Sequence, residues 1–264
     1  MTNKKAIKLK PGKMIYHNLE FIDSDVGRPI RILAEFMGPH QIFAQEGVQN
    51  TIVFFGSART LPMSEINKRR KTCKDKKELA RLKNLEAVAE YYDAARELGA
   101  KLGRWANKQH KGFALMTGGG PGIMEAGNRG ANDVGTSSIG LNIKLPFEQH
   151  PNPFIDDDLN LQFRYFFIRK YWFLKMARAL VIFPGGFGTF DEMFEVLTLI
   201  QTKKYGERMP VVIFGKKFWN KVINWNYLAE TGMIDKGDIK LFHFCDTVDE
   251  AYDAITKALE KTMK

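Results

Sequence analysis

Residues 181–192 read V-I-F-P-G-G-F-G-T-F-D-E. An apolar run stops at a proline, passes three glycines in four positions and restarts with helix-like spacing. Glycines at such a place let backbone N–H groups approach an anion closely, and the helix that follows adds the positive end of its dipole. The chemistry on offer is the holding of a phosphate. A second reading needs no ligand: Thr189 and Glu192 stand at the S/T-x-x-E spacing of a capping box, which satisfies free N–H groups at a helix start. Two further loops are of related type, Gly56-Ser57-Ala58-Arg59 and Thr117-Gly118-Gly119-Gly120-Pro121-Gly122. The dinucleotide fingerprint G-x-G-x-x-G fails in both glycine-rich loops, because Glu125 and Asp191 stand where its third glycine belongs. No G-x-x-x-x-G-K-[ST] is present either. The cradle therefore reads as sized for one phosphate, with Ser57, Gly118, Gly119, Gly120, Gly185, Gly186, Gly188 and Thr189 as candidate binding residues. Glu125, just after the triple glycine, either touches the ligand or only favours a helix N-terminus.

Such loops need a sheet to stand on. Each follows a short β-branched or apolar run: Thr51–Phe55, Phe113–Met116 and Ala179–Phe183. Further strands are expected at Ser138–Ile143, Val211–Phe214 and Leu241–Phe244. Helical spacing appears in Arg28–Phe43, until Gly38-Pro39 breaks it, and from about Asp75 to Gln109, with a break near Gly99. It returns at Ile123–Asn132, Phe163–Ala177, Glu192–Thr202, Phe218–Leu228 and Thr247–Leu259, where Thr247 and Glu250 repeat the capping-box spacing. A loop through Pro146, Pro151 and Pro153 separates the third strand from the aromatic helix. Strands alternating with helices mean an α/β fold, a parallel sheet with helices on both faces. In an open sheet of this kind ligands bind beyond the carboxyl ends of the strands, where all three loops fall.

The bulk composition excludes several classes. A hydrophobic share of 44% and a charged share of 27% are those of an ordinary globular protein. No apolar run approaches a membrane span, and the basic N-terminus is followed by no apolar signal segment, so the expected location is cytoplasmic. Cys73 and Cys245 form neither a disulfide framework nor a metal motif, and His17, His40, His110, His150 and His243 lack ligand spacing, so neither metal nor cofactor is expected. The net charge of +10 lies largely in Lys4–Lys13 and Lys68–Lys83. Acidic residues interrupt the second stretch, and no nucleic-acid-binding signature accompanies either, so solvated surface is expected rather than a nucleic-acid partner.

The turn also resembles something known. P-G-G-F-G-T-F-D-E fits the P-G-G-x-G-T-x-x-E motif of the LOG (Lonely Guy) family of nucleoside 5′-monophosphate phosphoribohydrolases, and Arg169-Lys170 fits the Arg-Lys pair that accompanies it. F-F-G-S-A-R, T-G-G-G-P-G-I-M-E-A-G-N-R-G-A and G-L-N-I-K-L-P-F-E-Q resemble the longer bacterial members, so the likeness runs from Arg28 to the region of Trp225. It implies a Rossmann-like fold, with residues 1–48 as an N-terminal extension carrying a helix and 49–264 as the nucleotide-binding catalytic domain. It implies hydrolysis of AMP, or of its N6-prenylated cytokinin forms, to free base and ribose 5-phosphate, by a homodimer or a multiple of dimers. By the same resemblance Arg169 and Glu192 are the catalytic residues, Lys170 lies beside the nucleotide, and Gly185, Gly186, Gly188 and Thr189 form the phosphate turn. Shorter plant-type members carry Met-His where this chain has Phe166-Phe167, a departure that bears on the prenylated base more than on hydrolysis.

The chemistry suits these residues. Cleavage of a ribosyl C–N bond passes through an oxocarbenium-like transition state, which a carboxylate stabilises while taking a proton from water. Glu192 lies one helical turn beyond Gly188, so both can face one nucleotide. An arginine keeps its charge and offers a rigid donor fork. Against this stand a stacked, structural Arg169 within R-Y-F-F-I-R-K-Y-W-F, and a nucleotide-binding sensor or carrier that performs no reaction. A pyridoxal decarboxylase has no marked Schiff-base lysine.

Overall fold

Seven short strands pair into one sheet in the computed structural model, which describes residues 14–109, 111–146, 150–205 and 209–262. They are β1 (Asn50–Phe55), β2 (Phe113–Thr117), β3 (Ser138–Ile143), β4 (Asn160–Phe163), β5 (Ala177–Ile182), β6 (Val211–Phe214) and β7 (His243–Cys245). The order is β4-β3-β2-β1-β5-β6-β7, and every pairing is parallel. The chain builds outward from β1 to β4, then returns to the other side of β1 to lay down β5. That reversal is the topological switch point, where the loops after β1 and β5 part and leave a crevice.

The helices are α1 (Leu19–Asp23), α2 (Arg28–Gln45), α3 (Met63–Thr72), α4 (Lys76–Gln109), α5 (Ile123–Asn132), α6 (Phe166–Met176), α7 (Phe187–Gln201), α8 (Lys216–Val222), α9 (Trp225–Glu230) and α10 (Val248–Thr262). Successive strand residues point to opposite faces. Ile52 and Phe54 of β1 pack with Leu98, Ile123 and Ile255 of α4, α5 and α10. Val53 and Phe55 pack with Phe43, Phe173 and Met193 of α2, α6 and α7. The sheet is covered on both sides, as the near-continuous apolar strands require.

Several boundaries differ from the sequence reading. β4 went unread because its N-L-Q-F is short and alternates exposed and buried, as befits an edge strand. α7 begins at Phe187, five residues earlier than expected, and the segment 216–230 holds two helices where one was expected. Pro39 does not end α2, which runs on to Gln45. Nor does Gly99 break α4; it is there for contact. A Cβ on Gly99 would sit 2.9 Å from the Gly127 carbonyl, and one on Gly130 would strike the Arg96 carbonyl and come within 2.8 Å of the Ala100 nitrogen. The α4 and α5 backbones thus touch through glycine. Gly130→Ala should push them apart and cost about 1–3 kcal/mol, read as a lower denaturation midpoint; an unchanged midpoint would show that the crossing is loose.

The basic stretch 68–83 is a solvated face, with exposed pairs Arg69–Glu65 at 2.7 Å and Arg81–Glu78 at 2.8 Å, and Arg70 against Glu86. The basic stretch 4–13, His110 and residues 147–149 of the G-L-N-I-K-L-P-F-E-Q segment lie outside the described residues. Among the described residues no helix is long and apolar enough to cross a membrane, and no group of His, Cys, Asp and Glu is placed to hold a metal.

Candidate active site

The three loops are stitched to one another. Ser57 N–H donates to the Pro184 carbonyl at 3.0 Å, and the Ser57 carbonyl accepts from Ile123 N–H at 3.0 Å. The Ser57 hydroxyl accepts from Arg59 N–H, also at 3.0 Å, so it shapes its own loop. Between them opens a cavity of about 660 Å³. Its walls include Gly56, Ser57 and Arg59 after β1, Gly118 after β2, Ile143 and Leu145 at the end of β3, and Phe166, Arg169 and Phe173 of α6. Gly186, Phe187, Gly188, Thr189 and Glu192 close the remaining side.

The start of α7 decides between the two readings of the P-G-G turn. Its N-cap is Gly186, which has no side chain to cap with, and Thr189 is already the third helical residue. No capping box forms there. The same spacing at α10 does make one: Glu250 N–H donates to the Thr247 hydroxyl at 3.2 Å, while the Glu250 carboxylate accepts from Asp246 and Thr247 N–H at 3.0 and 3.3 Å. Glu192 instead turns inward. It is 7% exposed, and its Oε1 lies 3.8 Å from Nη2 of Arg169. Burial raises its pKa to about 7, against the pull of the Arg169 and Lys170 cations.

Arg169 is held chiefly by the helix that carries it. Its guanidinium lies over the rings of Phe166 and Phe173, at 5.1 and 5.4 Å from their centroids. Nη1 reaches the Leu141 carbonyl only at 3.5 Å, and the buried Nε has no hydrogen-bond partner among the described residues. Burial pushes its pKa down, with Glu192 opposing, from a value high enough that the side chain stays charged at neutral pH.

Seven of the expected residues meet at this cavity: Ser57, Gly118, Arg169, Gly186, Gly188, Thr189 and Glu192. The others stand elsewhere. Gly119 N–H donates to the Thr117 hydroxyl at 3.0 Å, and the carbonyls of Gly119 and Gly120 accept from the Asn152 amide at 3.1 and 3.0 Å. The triple glycine is thus spent largely on a folded turn, with Gly119 at φ +73°. Gly185 packs under the Thr189 side chain. Lys170 does not enter the cavity, because its ammonium is bound by Asp191 at 2.7 Å and Glu195 at 2.8 Å. Glu125 faces α4 and accepts from the Tyr92 hydroxyl at 2.7 Å. Sequence reasoning did not assign Arg59 a role, although it closes the F-F-G-S-A-R stretch; its guanidinium makes no ion pair among the described residues, and an arginine closing a loop at a strand end was the available signal.

Comparison with known proteins adds the family. Among curated proteins none matches the chain significantly. The X-ray structure of TM1055 is similar at 20% identity, covering 79% of this chain and 99% of that one, with a TM-score of 0.45. The Moco carrier protein from Chlamydomonas reinhardtii is similar at 19% identity, covering 81% and 99%, with a TM-score of 0.46. The family model described as "Possible lysine decarboxylase" matches residues 124–255, from α5 into α10. That span carries Arg169, the P-G-G-F-G-T-F-D-E turn and the buried Glu192, and the chain belongs to the family of that model, the LOG family.

Proposed function

We propose that this chain hydrolyses the N-glycosidic bond of a purine nucleoside 5′-monophosphate, AMP or N6-modified AMP, to free base and ribose 5-phosphate. The observation that supports it best is the buried Arg169–Glu192 pair, opening on one cavity whose rim is the glycine turn at the start of α7. About 660 Å³ lies in the range of small-molecule sites. The free N–H groups of the first turn of α7 receive the phosphate, helped by the helix dipole and by Arg59. The ribose then lies over Glu192. The C1′–N bond breaks with its electron pair going to the base, and a water oxygen bonds to C1′ from the opposite face. The proton of that water passes to Glu192, which returns it to the departing base directly or through solvent. A carboxyl pushed to about 7 is matched to taking a proton near neutrality.

The family description does not fit these residues as a pyridoxal site. A Schiff base needs a lysine in the cavity; none of the described residues lining it is a lysine, and Lys170 is committed to Asp191 and Glu195. In the same reading the active species is a homodimer or a multiple of dimers, for which the exposed Phe166, Phe167 and Tyr171 supply apolar surface.

Incubation with AMP, GMP, CMP and prenyl-AMP, with assay of ribose 5-phosphate, tests the proposal. Release from a purine monophosphate supports it; binding of AMP with survival of every monophosphate replaces it with the sensor or carrier reading. Arg59→Ala should raise KM for AMP about tenfold or more, the worth of one charge-assisted hydrogen bond, and leave kcat nearly unchanged. An equal KM in the two proteins would take Arg59 out of the phosphate site.

A further inference from the structure

Pro39 has no N–H, so within α2 the carbonyl of Glu35, four residues back, is left without its helical donor. The indole of Trp172 in α6 takes that place, its Nε1–H donating to the Glu35 carbonyl at 3.0 Å. The Glu35 carboxylate grips α6 a second time. It accepts from the N–H groups of Arg164 at 2.8 Å and Tyr165 at 3.2 Å. Tyr165 is the N-cap of α6 and makes no side-chain cap of its own, so the helix start is capped from α2. Arg31 Nε donates to the Tyr165 hydroxyl at 3.1 Å, and Phe43 packs edge-on against Trp172. One residue thus holds α6 at its beginning and again at its second turn. Arg169 lies between the two grips, its N–H donating to the Tyr165 carbonyl at 3.2 Å. Because the Arg169 side chain has so few bonds of its own, the rotation of α6 decides where its guanidinium points.

We propose that Glu35 is a positioning residue for the reaction: through the cap and the Trp172 bond it fixes the rotation of α6 and holds Arg169 opposite Glu192. The inference rests on the hydrolase reading above. It places a determinant of activity in the segment before β1, far from the glycine loops. The groups facing Glu192 are the cations Arg169 and Lys170 from α6 and the anions Asp191 and Glu195 from α7 itself, with Arg59 across the cavity. The two cations that lower its pKa therefore both ride on the helix that Glu35 holds.

The experiment compares wild type with Glu35→Ala and Glu35→Gln, measuring kcat and KM for AMP, the acid limb of the kcat/KM–pH profile, and thermal unfolding. Glu35→Ala removes the cap and leaves the Trp172 bond, which uses the backbone carbonyl; with the cap gone we expect kcat to fall about 10- to 100-fold through misplacement of Arg169. KM should stay within about threefold, since the phosphate turn on α7 is untouched, and the acid limb should move up by about half a pH unit or more. Glu35→Gln, which keeps one acceptor oxygen, should recover part of both. A folded Glu35→Ala protein with wild-type kcat and an unmoved limb overturns the proposal, and so does a fall in kcat with no movement of the limb. If Glu35→Ala does not fold, Glu35→Gln and Trp172→Phe carry the same test, with a smaller shift in the same direction expected and an unmoved limb overturning it. If wild type cleaves no monophosphate, the hydrolase reading is what fails. Position is then read without catalysis, from the pH range over which Glu192→Gln stabilises the protein. That range should extend upward in the Glu35→Gln background, and an unchanged range overturns the positioning role.

Discussion

Glu192→Gln is expected to lower kcat for AMP about 1,000-fold while leaving AMP binding within a few-fold of wild type. The magnitude is that of a lost general base, and binding survives because the first turn of α7 and Arg59 are unchanged. Near-normal turnover would remove Glu192 from the chemistry. The same variant should be more stable, for a reason that can be signed. The carboxyl ionises near 4.5 in an exposed chain and at about 7 in the fold. A raised pKa favours the protonated native state, so the contribution of Glu192 is fully present below pH 4.5 and is lost as the pH climbs through 7. Glutamine carries no such cost. The unfolding free energies of the two proteins should coincide near pH 4.5, diverge between 4.5 and 7, and stay apart above it, by at most about 3.4 kcal/mol. Loss of activity with gain of stability would mark a buried carboxylate kept for reaction rather than for folding.

Arg169→Ala is expected to reduce kcat about 100- to 1,000-fold, the usual cost of removing a preorganised charge from a transition state. It should also move the acid limb of the pH profile upward, because the guanidinium is the largest influence holding the Glu192 carboxyl down. Arg169→Lys should restore the charge only in part. A lysine lacks the planar fork that lies over Phe166 and Phe173, and burial drives its proton off more easily. Wild-type kcat in Arg169→Ala would leave the arginine as a structural stack on its aromatic neighbours.

Much of the fold was legible because buried parallel strands advertise themselves: Ser138–Ile143 and Val211–Phe214 are as the apolar runs predict, and so is the helix Ile123–Asn132. The failures come from residues whose effect depends on a partner distant in sequence. Pro39 reads as a helix breaker until Trp172 supplies the donor that Glu35 lacks. Gly99 reads as a break until α5 lies against it. The clearest case is the pair of S/T-x-x-E spacings. Thr247 and Glu250 close a capping box on an exposed helix start, whereas Thr189 and Glu192 sit in a helix that has already begun at Phe187. Spacing alone cannot separate the two, since what differs is where a glycine lets the helix start. At the site, the glycine loops were readable as types, and the Arg169–Glu192 pair was singled out by the family resemblance. The detachment of Lys170 and Glu125 was not, because Asp191, Glu195 and Tyr92 compete for them only in three dimensions.

The pairing of β1 with β5 has a consequence for how the protein comes into being. Ile52 lies beside Ala179, although β2, β3, β4 and the helices between them intervene in the chain. Phe183 N–H donating to Phe55 at 2.8 Å and Ser57 N–H donating to Pro184 extend that seam into the cleft. This is a contact of high sequence separation, slow to form because a long stretch of chain must be closed first. During synthesis, a ribosome-bound chain that has not yet released residues 186–192 lacks the side of the cleft that the start of α7 closes. On the proposed reading, a nucleotide touching both the loop after β1 and the start of α7 would bind the joined state alone, so by mass action it would stabilise the seam between the halves of the sheet rather than either half by itself.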